Sequence, residues 1–191
     1  MKVGLLALQG DFAAHGKALA RLGCGGVEVR RPDQLSGLGG LIVPGGESTA
    51  LLKLIAEGGM DRAIQEFGER GGAIFGTCAG LIILAREVRH PAQPGLGLID
   101  VGVERNAYGR QRESFEQAIS VPALGNDPFP GIFIRAPKIV RLGPEVEALA
   151  TVGSDCVLAR QGRILVATFH PELTPDGRLH ARFLEMVRAG A

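Results

Sequence analysis

The segment Gly76-Thr77-Cys78-Ala79-Gly80 lies between two apolar runs, Gly72-Ala73-Ile74-Phe75 and Leu81-Ile82-Ile83-Leu84-Ala85. Small residues around a cysteine at such a junction predict a strand turning sharply into a helix, a nucleophile elbow. The tight turn throws the Cys78 side chain out at the carboxyl end of a sheet and needs small neighbours so that the backbones can approach. It also aims amides of the first helical turn at the sulfur, which favours the thiolate needed for covalent catalysis.

A cysteine nucleophile needs a base, and of His15, His90, His170 and His180 one has the right company. In Ala167-Thr168-Phe169-His170-Pro171-Glu172 an apolar strand ends at a histidine that Pro171 keeps extended. Residues two apart in an extended segment project to the same side, which puts the Glu172 carboxylate in reach of the imidazole. A carboxylate on one ring nitrogen fixes the tautomer and frees the other nitrogen to exchange protons with Cys78, a Cys-His-Glu triad. An oxyanion hole is expected from the amide of Ala79 and from Gly46, in the turn Pro44-Gly45-Gly46-Glu47-Ser48.

The surrounding elements fit. Val3 to Leu8 reads as a buried strand, Ala13 to Leu22 as a helix, and Val27 to Arg30 and Gly40 to Pro44 as further strands. A helix capped by Ser48 or Thr49 follows, then a helix from Asp61 to Arg70 and the strand Gly72 to Phe75. Continuously apolar strands alternating with helices predict a mainly parallel sheet covered on both faces, a three-layer α/β sandwich. Shorter strands near Val101 to Glu104, Gln117 to Ser120, Gly131 to Ile134, Val157 to Arg160 and Ile164 to Ala167 are expected to extend it antiparallel. A last helix runs from Gly177 to Val187, and Pro91 to Gly97 and Pro122 to Gly131 read as surface loops.

The chain's 191 residues suit one α/β domain spanning 1–191. Lys plus Arg (21) and Asp plus Glu (20) nearly cancel and are scattered, so no nucleic-acid partner is expected. The amino terminus is too soon interrupted to be a signal peptide and no run reaches membrane-spanning length, so the expected location is cytosolic, without membrane contact. Three cysteines without C-x-x-C or metal spacing argue against a disulfide framework or a metal site. Cys24 and Cys156 read as small buried hydrophobes, and His90 and His180 as surface residues. His15 reads equally well as helix surface or as part of a partner-facing mouth.

The G-T-C-A-G, H-P-E and P-G-G-E-S segments resemble class I (triad) glutamine amidotransferases. Further segments are similar to the glutaminase-subunit family of pyridoxal 5′-phosphate synthases. They are Leu6-Ala7-Leu8-Gln9-Gly10 with His15, Gly45 to Thr49, Glu104 to Gln111 followed by Ser114-Phe115-Glu116, and Phe133-Ile134-Arg135-Ala136-Pro137. The resemblance covers essentially the whole chain, with no departure at a motif position. It implies a class I amidotransferase-like, flavodoxin-like three-layer fold and hydrolysis of L-glutamine to glutamate and ammonia through a γ-glutamyl thioester on Cys78, without a cofactor. The ammonia would pass to a separate synthase subunit that makes pyridoxal phosphate. Gly46, Glu47 and Ser48 would line the glutamine site, with Arg105, Ile134 and Arg135 closing it. The competing readings are a glutaminase serving another synthase, a cysteine peptidase-like relative, and a non-catalytic module using the cleft for binding.

Overall fold

A computed structural model describes residues 2–105 and 114–190. Its first half alternates strands and helices: β1 (Val3–Leu6), α1 (Phe12–Arg21), β2 (Gly26–Val29), β3 (Gly40–Val43), α2 (Ser48–Glu57), α3 (Met60–Glu69), β4 (Ala73–Thr77) and α4 (Ala79–Leu84). The second half is mostly strands: β5 (Ala85–Arg89), β6 (Ile99–Glu104), β7 (Ser114–Ile119), β8 (Phe129–Ile134), β9 (Lys138–Leu142), β10 (Glu147–Val152), β11 (Asp155–Gln161) and β12 (Ile164–Ala167), closed by α5 (Arg178–Arg188).

The main sheet runs β2-β1-β3-β4-β12-β11-β9-β6-β5, with β10 paired to β11. From β2 to β12 every neighbour is parallel, as expected. The antiparallel extension begins at β11 and passes through β9 to β6, after which β5 pairs parallel with β6. Two expectations need correction. β12 is not part of the extension but lies parallel to β4, in register from Ile164↔Ile74 to Ala167↔Thr77. β7 and β8 leave the main sheet and form a separate antiparallel pair, so part of the segment read as a loop up to Gly131 is strand.

Period-2 alternation along the central strands divides the core between two faces. Leu41 and Val43 of β3, Ile74 of β4, and Ile164 and Val166 of β12 share one apolar cluster with Leu51 and Ile55 of α2, Ile64 of α3 and Leu81 of α4. Ile42, Phe75, Leu165 and Ala167 share the other, with Leu19 of α1 and Phe183 and Val187 of α5. The helices that cover these two faces are the outer layers of the sandwich. Phe183 is fully buried, its ring centroid 5.6 Å from that of Phe75. Phe183→Ala is expected to destabilise the fold by about 3–5 kcal/mol, measured by equilibrium urea unfolding.

Candidate active site

Cys78 stands between β4 and α4 with φ 48° and ψ −103°, a left-handed backbone that a non-glycine residue adopts only when its surroundings force it. The force comes from both sides. Its backbone N–H donates to Ala167 O at 2.9 Å, pinning the elbow to the end of β12. A Cβ at Gly80 would run into the Val43 carbonyl, so glycine there lets α4 settle against β3. The Sγ lies 3.8 Å from the Ile134 carbonyl oxygen.

Three residues beyond β12, His170 is 5 % exposed, and its backbone N–H donates to Ile132 O of β8 at 2.8 Å. Its Nδ1 is 2.8 Å from Glu172 Oε1. The pairing arises differently from the extended geometry expected of H-P-E. The chain tightens into a 3₁₀ turn over Pro171–Leu173, and that turn carries the carboxylate back under the imidazole. A Cβ at Gly45 would come within 2.5 Å of His170 Cε1 and 3.4 Å of Cys78 Cβ, so the turn after β3 also packs directly on both side chains.

Burial works against the His170 imidazolium, but hydrogen bonding to Cys78 and to Glu172, together with their charges, outweighs it and pushes His170 up to about 10. Cys156 provides a contrast: burial raises its thiol to about 11, so it stays protonated and inert, in keeping with a core role. Cys24 is likewise buried.

Cys78, Ala79 and His170 face a cavity of about 580 Å³ also lined by Gly46, Glu47, Ser48, Arg105, Ile134 and Arg135, so the structure brings almost every expected site residue to one place. Glu172 stands behind His170, its side chain fully buried. Arg135 has φ 44°, so two of the three non-glycine residues with positive φ among the described residues border this cavity. The segment after Arg105, from 106 to 113, carries the rest of the R-N-x-Y-G-R-Q motif and lies outside the described residues.

Glu47 is the cap of α2, replacing Ser48 or Thr49 in that expected role. Its carboxylate accepts from the backbone amides of Thr49 (2.9 Å) and Ala50 (2.6 Å), bonds that hold it below the usual carboxylate range. Arg105 donates to Gln93 Oε1 at 2.6 Å and Thr49 Oγ1 at 3.1 Å, and lies 3.8 Å from the Glu47 carboxylate. Gln9 was not anticipated as a site residue. It accepts from the Glu47 amide through Oε1 at 3.1 Å, steadying the glycine turn, and its position just past an apolar strand at the sheet's carboxyl end was the available signal. Asp11, Ile82 and Ser114 also line the cavity without having been singled out. Asp11 brings a carboxylate within 4.8 Å of ligand-type atoms of His170 and Glu172, a grouping accounted for by the hydrogen-bonded His170–Glu172 pair.

His180 is a correction. Read as a surface residue, it is fully buried, and so is His15, which lies neither on the helix surface nor at the cavity mouth. The period was legible: His15 precedes buried Ala18 and Leu19 by three and four residues, as His180 precedes Phe183 and Leu184. His90 is exposed, as expected.

The chain belongs to the SNO glutamine amidotransferase family, which it matches over residues 5–189. Within that class, a relative from Pelotomaculum thermopropionicum is 54% identical over 191 residues, covering 100% of this chain and 97% of its own. Another from Thermus thermophilus is 56% identical over 186 residues, 96% of each chain. Both are named pyridoxal 5′-phosphate synthase subunit PdxT. A crystal structure described as a glutamine amidotransferase superposes with a TM-score of 0.93 at 53% identity, covering 97% of this chain and 98% of the other.

Because the folded value of His170 lies above its ordinary 6.5, the stability it contributes is full below about 6.5 and lost as pH rises through about 10. Glu172→Gln removes a charge that sustains this shift. The His170 midpoint, followed by ¹⁵N chemical shifts of labelled histidine, is expected to move down in that variant, and the alkaline loss of stability, still starting near 6.5, to be smaller and complete at lower pH.

Proposed function

We propose that this chain is the glutaminase subunit of a pyridoxal 5′-phosphate synthase, hydrolysing L-glutamine and delivering ammonia to a synthase subunit. The observation that carries the reading is the cavity in which an elbow cysteine meets a histidine already paired with a buried carboxylate, in a chain whose full length matches relatives bearing that subunit's name. Residues 1–191 form one glutaminase domain in this reading, acting in the cytosol. Among the described residues no helix is long and apolar enough to cross a membrane.

Cys78 attacks the side-chain carboxamide carbon of glutamine. The negative charge that develops on oxygen is met by the amides of Ala79 and Gly46. His170 then gives its proton to the departing nitrogen, the C–N bond breaks, and a γ-glutamyl thioester remains on Cys78 as ammonia leaves. In the second half-reaction His170 takes a proton from water as it attacks the thioester, and glutamate departs with the thiolate restored. Glu172 holds the imidazole in the tautomer and orientation both steps require. Gly46, Glu47 and Ser48 line the glutamine site. Arg105, Ile134 and Arg135 close it, an arginine suiting the α-carboxylate of the substrate.

Glutamate release is the test, measured for the chain alone and mixed with the synthase subunit. Release stimulated by the synthase, and lowered by at least about 10³-fold in Cys78→Ala, is the expected result. A different ammonia-using synthase giving the stimulation would reassign the partner. No release with any of them would leave the cleft as a binding site.

A further inference from the structure

Behind the triad, on the side away from the cavity, two histidines with no part in the mechanism above form a buried chain of contacts. His15 of α1 has its Nδ1 2.9 Å from His180 Nε2 of α5. Its Nε2 lies 3.1 Å from Thr77 Oγ1 at the end of β4 and 3.4 Å from Glu172 Oε2. Both side chains of the His15–Glu172 contact are fully buried, and Oε2 is the carboxylate oxygen that His170 does not use.

The hydrogen-bond arithmetic selects one arrangement of protons. One proton must sit between His15 Nδ1 and His180 Nε2. Were it on His15, the bare Nε2 lone pair would face a carboxylate oxygen, and the remaining N–H of His180 would be at Nδ1, an atom buried without a partner. With the proton on His180 Nε2, that buried Nδ1 is only an unused acceptor, and His15 carries its proton on Nε2, bonded to Thr77 Oγ1 and close to Glu172 Oε2, a buried oxygen with no hydrogen bond of its own. We propose that His15 is a positioning residue for the triad: with its tautomer set by His180, its Nε2–H, bonded to Thr77 Oγ1, also sets the positive end of its dipole 3.4 Å from Glu172 Oε2 and so keeps Oε1 turned towards His170. The proposal rests on the triad reading above.

Neutrality is part of how such a residue works. Burial, then the nearby His180 and His170, hold His15 well below its ordinary value, and burial followed by Arg21 holds His180 at about 4. A neutral donor orients Glu172 without cancelling the charge that His170 needs from it. A lysine or arginine in this place would compete with His170 for the same carboxylate.

The experiment uses the full chain labelled with ¹⁵N-histidine. In the wild type, His15 and His180 are expected to show the Nε2–H tautomer and to stay neutral at neutral pH. A His15 proton on Nδ1, or a charged His15, would overturn the proposal without any variant being made. His15→Leu is expected to lower the His170 midpoint and reduce kcat for glutamate release about tenfold, with KM changed less than about twofold. His15→Gln, whose side-chain amide can present an N–H near the former Nε2, should recover most of both. A folded His15→Leu variant with the wild-type His170 midpoint sinks the idea, as does a His15→Gln that behaves no better than the leucine variant. The spectroscopic readouts need neither glutamine nor synthase. Absence of glutamate release in the wild type would therefore count against the glutaminase reading alone, while the His15 proton still decides this one.

Discussion

The parallel pairing of β4 with β12 is the constraint on which everything at the site depends. The strands are separated by nearly half of the chain, yet Thr77 and Ala167 finish side by side at the same edge of the sheet. The residue after one strand is Cys78, the proposed nucleophile, and the third residue after the other is His170, its proposed base. The Cys78 amide bonded to the Ala167 carbonyl keeps the turn from drifting off that edge. A register slip of one residue would reverse the face of every side chain on β12 and carry His170 away from the sulfur with them. The two apolar clusters that fix the register thus also set the distance over which a proton moves.

Around this edge the fold spends its buried polarity sparingly. Behind the sulfur, His170, Glu172, His15, Thr77 and His180 are buried, and they are arranged one behind another. His170 is favoured in its charged form and the two histidines behind it in their neutral forms. The difference comes from burial and from what each ring faces: His170 hydrogen-bonds Glu172 and Cys78 together, whereas His15 and His180 are desolvated beside Phe75, and the cationic neighbours of each add to the cost of a charge. A gradient from ionic to neutral over so short a depth keeps the charge at the cavity wall.

The parallel half was legible because its strands are unbroken apolar runs, which only a sheet covered on both faces can satisfy. The elbow was legible for a related reason, since few contexts place glycine and alanine around a cysteine between two such runs. The later strands were harder. β9 and β10 are half-exposed and carry charges, and β5 follows α4 without a turn residue, so none of the three was anticipated. The place of β12 in the middle of the sheet is a matter of long-range pairing, to which local pattern is blind. His170 and Glu172 were identified as partners, though a 3₁₀ turn rather than continued strand brings them together. The two buried histidines show the opposite lapse: their helical period marked them as inward-facing, but polarity was allowed to override it.

The order of the strands also bears on biosynthesis. The cysteine follows β4, and the strand that completes its surroundings, with His170, Glu172 and His180 after it, is made much later in the chain. While a ribosome is still adding β11, one long side of β4 has no neighbour and Cys78 has no His170 beside it. In the glutaminase reading a nascent chain is silent towards glutamine until β12 has emerged and inserted between β4 and β11, which makes that insertion also the step that switches on the chemistry.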